Sequence, residues 1–204
     1  MNTKREYVIS ELMVEHFVEW ETNEICLEET EETGKSILIF QLSSEANLSI
    51  KNVDAKNTQM LFFKNEKAKS MFKRVDHIVF EQLENNSWKL HLIEMKSSVG
   101  NEKWTDIKGK FRASYLLAQG IAAMLEMCIT ETCMYTTYEK ANFSLSGTMP
   151  TARRLPLGEK LVRPEEEWSG DKFELNFGSR ISFRHTPIQM KRSEQDVLVG
   201  AFVC

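Results

Sequence analysis

Paired cysteines are missing from this chain. Its four, Cys26, Cys128, Cys133 and Cys204, stand apart with no CxxC spacing, which argues against a disulfide framework or a cysteine-built zinc site and for reduced thiols. The four histidines, His16, His77, His91 and His185, show no ligand spacing either. Long apolar runs are absent too, since nothing approaches the roughly 18 residues a membrane span needs. The opening MNTKREYVISE lacks the apolar centre of a secretory signal. No internal repeat and no low-complexity tract interrupts the sequence. The expectation is a cytoplasmic protein that makes no use of a membrane.

What is present suffices for one proper core. With 204 residues, 42% of them hydrophobic, the chain can bury enough apolar surface without crosslinks. The formal charge of -4 is unevenly spread. Residues 1 to 34 carry ten acidic and two basic side chains, whereas the other 170 residues carry 24 basic and 20 acidic ones, a local net of +4. Basic groups gather at Lys64, Lys67, Lys69, Lys73 and Arg74, at Lys103, Lys108, Lys110 and Arg112, and at Arg153, Arg154, Lys160 and Arg163. A basic face on an acidic protein keeps nucleic acid among the possible partners.

In chain order, residues 6 to 21 place Val8, Leu12, Phe17 and Trp20 at roughly helical spacing, with Glu11, Glu15 and Glu19 every fourth residue. This predicts an amphipathic helix with an acidic stripe. The acidic run ending at Gly34 reads as a loop and Ile37 to Leu42 as a strand. Residues 43 to 57 have no clear period, and Met60 to Phe63 is a short apolar run of strand character. From Lys103 to Met127, Ile107, Phe111, Tyr115, Ala118, Ala122 and Leu125 recur every three or four residues, the strongest helical signal in the chain. Ile129 to Tyr138, rich in threonine and aromatic residues, reads as a strand. Beyond Asn142, prolines punctuate an irregular stretch. Lys172 to Phe177 and Arg180 to Arg184 then flank Gly178-Ser179 as a hairpin, and Val197 to Val203 offers a last strand.

The chemistry lies between Asp76 and Lys96, two strand-like runs joined by a polar turn. Alternate side chains of a strand share a face, so Trp88, Leu90, Leu92, Glu94 and Lys96 point one way and Lys89, His91, Ile93 and Met95 the other. Ile78 and Phe80 pack naturally beside Leu90 and Leu92, which brings Asp76 next to Glu94 and Lys96. That alignment has a parity condition. Antiparallel partners have a constant sum of residue numbers, and Asp76 shares the face of Glu94 only when the sum is even. A two-residue turn at Asn85-Asn86 gives 171, so an odd-length loop or a bulge is required near residues 84 to 88. Two carboxylates on neighbouring strands suit a hard cation such as Mg2+ or Mn2+, with the Met95 carbonyl as a further ligand. Such an ion polarises a phosphodiester and acidifies its bound water, and Lys96 stands ready to orient that water or meet charge on the phosphate. The bland alternative is a weak surface ion pair at a frayed strand end.

Lys73-Arg74-Val75-Asp76-His77-Ile78 is similar to GRxDxI, and Ile93-Glu94-Met95-Lys96-Ser97-Ser98 to ExK-[ST]-[ST]. On these motifs the chain resembles the PD-(D/E)XK nuclease superfamily, in particular its RecB-like branch, over about residues 70 to 138. The resemblance implies a restriction-endonuclease-like αβββαβ core. It also implies that Asp76 and Glu94 hold the metal and that Lys96 assists the attacking water. Glu11 or Glu15 would complete the metal shell from the first helix, and Gln119 would contact substrate from the helix after the lysine. The sequence departs from the branch in having Lys73 in place of glycine, Ala123 where a tyrosine follows Gln119, and no four-cysteine set for an iron-sulfur cluster.

The expected fold is therefore mixed α/β (α+β), with a nuclease-like core over 1 to 141 and a β-rich extension over 142 to 204 packed upon it. The expected activity is Mg2+- or Mn2+-dependent hydrolysis of nucleic acid, DNA first. Arg74, Lys108, Lys110, Arg112 and Tyr115 are expected to contact the polymer through phosphates and stacking. The alternative is a non-catalytic module of the same fold in a protein or nucleic-acid complex. The acidic N-terminal region suits a protein partner or self-inhibition, and a homo-oligomer is a further expected assembly.

Overall fold

The computed structural model describes residues 3–13, 17–31, 34–51, 53, 70–143 and 163–204. The chain opens with one helical turn, α1 (Lys4–Tyr7), capped by Thr3 and continued by a π-helical turn over Val8–Leu12. Four strands follow: β1 (Val18–Glu21), β2 (Glu24–Glu31), β3 (Gly34–Gln41) and β4 (Asn47–Ile50). The central hairpin is β5 (His77–Gln82) and β6 (Ser87–Met95). A short β7 (Ser98–Gly100) leads into the long helix α2 (Asn101–Met124), then β8 (Cys128–Tyr138) and β9 (Lys140–Asn142). The last part holds α3 (Pro164–Ser169), β10 (Lys172–Asn176), β11 (Arg180–Gln189), β12 (Lys191–Arg192) and β13 (Leu198–Val203). The architecture is mixed α+β, mostly sheet with few helices.

Among the described residues seven strands form the main sheet in the order β1-β4-β5-β6-β8-β11-β10, and four form a second sheet, β12-β13-β3-β2. The two faces of β6 explain the layering. Trp88, Leu90 and Leu92 enter a core shared with Trp104, Ile107 and Phe111 of α2. Ile93 and Met95, on the opposite face, join Ile25, Leu27, Leu38 and Phe40 of the second sheet. The main sheet is thus covered by α2 on one side and by the smaller sheet on the other, and period-two alternation along one strand supplies both interfaces.

Helix α2 enters closely against the chain that follows β8. A Cβ on Gly100 would sit 2.7 Å from the Asn142 carbonyl oxygen, so glycine is required for the β7–β9 ladder to close. The helix ends in a Schellman turn, with Met127 N–H donating to the Ala122 carbonyl at 2.9 Å and Glu126 N–H to Ala123 at 3.4 Å. Glu126 takes the left-handed position of that turn, at φ 55°.

Two expectations need correction. The helix expected over 6 to 21 stops at Leu12, and Val18–Glu21 is an edge strand paired with β4. Residues 14–16 lie outside the described residues. Pairing of Val18 with Ile50 and Trp20 with Leu48 overrides a helical spacing that is equally compatible with alternation. The acidic run before Gly34 is strand β2, whose Ile25 and Leu27 point inward while Glu24 and Glu28 face water. Its glutamates disguised a period of two. The Met60 to Phe63 run and Lys64, Lys67 and Lys69 lie outside the described residues, as do Arg153, Arg154 and Lys160.

The segment expected as an extension is built into both sheets. Within the main sheet β11 runs parallel to β8, pairing Arg184 through Gln189 with Cys133 through Tyr138. In the second sheet β13 runs parallel to β3. Trp168 stands edge-on to Trp104 with ring centres 5.3 Å apart, and Phe173 and Phe183 enter the α2 core.

Candidate functional site

The parity condition is met. Strands β5 and β6 pair His77 with Ile93, Ile78 with Leu92 and Phe80 with Leu90, an even register sum of 170. Five residues separate Gln82 from Trp88, and Glu84–Asn86 form a 3-10 turn closed by Leu83 N–H donating to the Ser87 carbonyl at 2.8 Å. Asn86 takes the left-handed conformation, φ 57°, that the odd loop demands. Asp76, one residue before β5, therefore faces Glu94.

At that end of the hairpin four charges meet. Lys96 Nζ lies 2.9 Å from Glu94 Oε1 and 3.8 Å from Asp76 Oδ2, and donates to the Met95 carbonyl at 2.8 Å. Asp76 Oδ2 accepts from Met95 N–H at 2.6 Å, which fixes the carboxylate against β6. From α2, Lys110 Nζ reaches Glu94 Oε1 at 2.6 Å and Asp76 Oδ1 at 3.7 Å. The segment carrying Asp76 is tied to the same helix, because Val75 N–H donates to Ser114 Oγ at 2.9 Å.

Glu94 is fully buried, and its second oxygen, Oε2, has no hydrogen-bond partner among the described residues. Burial and the neighbouring Asp76 charge push its carboxyl up to about 7, outweighing the two lysines that favour the anion. An unpartnered buried oxygen at the end of an apolar strand is a feature that a frayed surface ion pair lacks.

The remaining expected residues fall in different places. Glu11 is exposed and accepts from Ser10; among the described residues no hydrogen bond joins it to Asp76, Glu94 or Lys96. Glu15 lies outside the described residues. Gln119 sits nine residues past Lys110, about 13 Å further along α2. There it lines a cleft of about 470 Å³ with Tyr115, Thr130, Lys172, Phe183 and Arg184, away from the carboxylates. Of the residues expected to meet nucleic acid, Arg74 is only 3% exposed, which removes it from an open phosphate-binding surface. Lys108 is bound to both oxygens of Glu167 at 2.7 Å. Tyr115 packs on Phe177 and Phe183 at ring distances of 5.5 and 5.0 Å. Arg112 is half-buried on α2.

Sequence reasoning missed a second buried polar group, between the two sheets. Glu81 Oε2 lies 2.9 Å from His91 Nε2, and Tyr135 OH 3.1 Å from His91 Nδ1. Burial holds His91 below its ordinary value and Tyr135 above. A neutral imidazole therefore donates from Nε2 to the acceptor-only carboxylate and accepts from the phenol at Nδ1. Glu81 is held down to about 2: burial opposes this, but bonds from His91 and Ser43 outweigh it. The signal was available, since Glu81 and His91 occupy inward positions flanked by Val79 and Ile93.

As to the ligands of a cation, no group of three or more His, Cys, Asp or Glu side chains placed to hold a metal occurs among the described residues. Asp76 and Glu94 are a pair. Two carboxylates, one of them with an orphaned buried oxygen, and one peptide carbonyl fit an ion that keeps several of its waters, as Mg2+ does. No helix among the described residues is long and apolar enough to cross a membrane. Compared with protein-family models, with curated proteins and with solved structures, the chain matches none.

Proposed function

We propose that this chain is a Mg2+- or Mn2+-dependent nuclease that hydrolyses DNA phosphodiester bonds. The observation that carries the reading is the convergence of Asp76, Glu94 and Lys96 at one end of a hairpin whose odd loop exists in the register that convergence needs. A restriction-endonuclease-like core is proposed with it, on the run of β4, β5 and β6 in antiparallel order, then α2, then β8 parallel to β6.

In this reading Asp76 and Glu94 hold the cation, with the Met95 carbonyl beside them. A divalent ion held by these residues would supply Lewis-acid polarisation of the phosphodiester and a more acidic water. Lys96 is held at the reacting end of the site by the strand that carries Glu94. Its ammonium orients the attacking water and offsets charge building on the phosphate. Apolar packing of Ile78, Phe80, Leu90 and Leu92 beneath keeps the carboxylates in place.

A second reading, a non-catalytic binding module, is favoured by one observation. Asp76, Glu94, Lys96 and Lys110 already form a mutually paired set with two charges of each sign. Cleavage of single-stranded DNA, duplex DNA and RNA with Mg2+ or Mn2+, beside Asp76→Ala and Lys96→Ala proteins, separates the two. Metal-dependent cutting lost in both variants supports the nuclease. No cutting of any substrate together with no metal binding supports the module.

A further inference from the structure

Lys110 of α2 has no place in the mechanism just described, although its ion pair with Glu94 is the shortest at the site. We propose that Lys110 is an internal counter-cation that stands in the metal's place between Asp76 and Glu94, so that a divalent ion enters only by displacing it. The inference rests on the reading of Asp76 and Glu94 as metal holders.

Three observations carry it. Lys110 Nζ bridges the two carboxylates, 2.6 Å from Glu94 Oε1 and 3.7 Å from Asp76 Oδ1, the position an ion shared by both groups would take. Lys96 spans the same two carboxylates at 2.9 and 3.8 Å, but it is also anchored on the Met95 carbonyl at 2.8 Å and directly follows the strand that carries Glu94, so Lys110 is the group that yields. Lys110 comes from a different element, α2, on a flexible four-carbon stem, and at 17% its side chain is about as exposed as that of Lys96 at 20%, so water is within its reach.

The charges give the consequence. With both lysines in place the site is neutral when both carboxylates are ionised, and a divalent ion added beside Lys110 meets an ammonium within a few ångströms. Repulsion at that range in a partly buried site is strong. Removing the charge of Lys110 therefore strengthens metal binding, whereas a merely supportive lysine would weaken it when lost, by letting the carboxylates drift.

The test is calorimetric titration of Mn2+ alone into the wild-type chain and into Lys110→Met, Lys110→Gln and Lys110→Arg proteins, each checked for folding by circular dichroism. Both neutral variants are expected to bind Mn2+ about tenfold tighter or more, and the arginine variant to stay near wild type. Unchanged or weaker binding in the two neutral variants overturns the counter-cation role and leaves the metal site standing. Absence of Mn2+ binding in all four proteins, or binding that survives Asp76→Ala, overturns the metal reading and the inference together.

Discussion

Glu94 carries the sharpest consequence at the scale of single residues. A carboxyl moved from 4.5 up to about 7 by burial and by Asp76 retains, in the folded chain, a proton that the unfolded chain has already released. Between those pH values the folded state binds more protons, so stability falls as pH rises through the window and the loss is complete above it. Glutamine cannot ionise. Glu94→Gln is expected to match the wild type near pH 4.5 and to exceed it by up to about 3 kcal/mol at pH 8 in chelator. Urea unfolding at the two pH values measures this. A variant less stable than wild type at pH 8 would mean that the lysine pairs outweigh the burial cost. Of the residues at the site, Asp76, Glu94 and Lys96 were legible in the sequence, because alternation along a strand fixes which side chains share a face. Lys110 was legible only as a basic residue. Its meeting with Glu94 depends on how α2 lies across the sheet, which no local pattern encodes.

At the scale of elements, the hairpin turn and the end of α2 are each set by one backbone choice. The five-residue loop from Leu83 to Ser87 keeps the register sum even. Deleting Asn85 makes the sum odd, and a slip of one residue would turn Ile78, Phe80, Leu90 and Leu92 away from their partners. The deletion is expected to cost several kcal/mol and to abolish Mn2+ binding, read by denaturant midpoint and by titration. A variant that keeps both would show that a bulge elsewhere restores the alignment. In the Schellman turn, Glu126 occupies a left-handed position that glycine adopts without penalty. Its ion pair with Lys4 is more than half exposed on both sides and so is weak. Glu126→Gly is expected to stabilise the chain by about 0.5 to 1 kcal/mol, a rise in melting temperature that calorimetry would detect. The helix α2 and strand β6 could be read from spacing because each presents a long run of one period, while β3 was marked by an apolar run and β8 by its threonine and aromatic content. The N-terminal segment could not, because Val18 and Trp20 satisfy two periods at once and pairing with β4 decides between them.

On the scale of the whole molecule, the chain beyond Asn142 changes how the site is supported. Strand β11 extends the main sheet past β8, and His185 on it accepts or donates at 3.1 Å to Thr136, the β8 partner of Glu94. Trp104, near the start of α2, is packed against both Trp168 and Phe173 of this later segment. The position of α2, and with it of Lys110, thus depends on residues more than 60 positions from Trp104 in sequence. Composition alone suggested an appendage there because prolines and polar residues dilute the apolar signal, while parallel pairing between distant strands leaves no local mark. The acidic total likewise concealed local order, since Glu24 and Glu28 of β2 lie on the outer face of the second sheet, opposite Ile25 and Leu27. The proposed activity requires Asp76, Glu94 and Lys96 to act together on a phosphodiester. Its most direct test is cleavage of labelled DNA by the purified chain with and without Mn2+, beside Asp76→Ala and Lys96→Ala proteins shown to be folded. Metal-dependent cutting that falls at least about a hundredfold in each variant is expected; cutting that persists in both would contradict the nuclease reading.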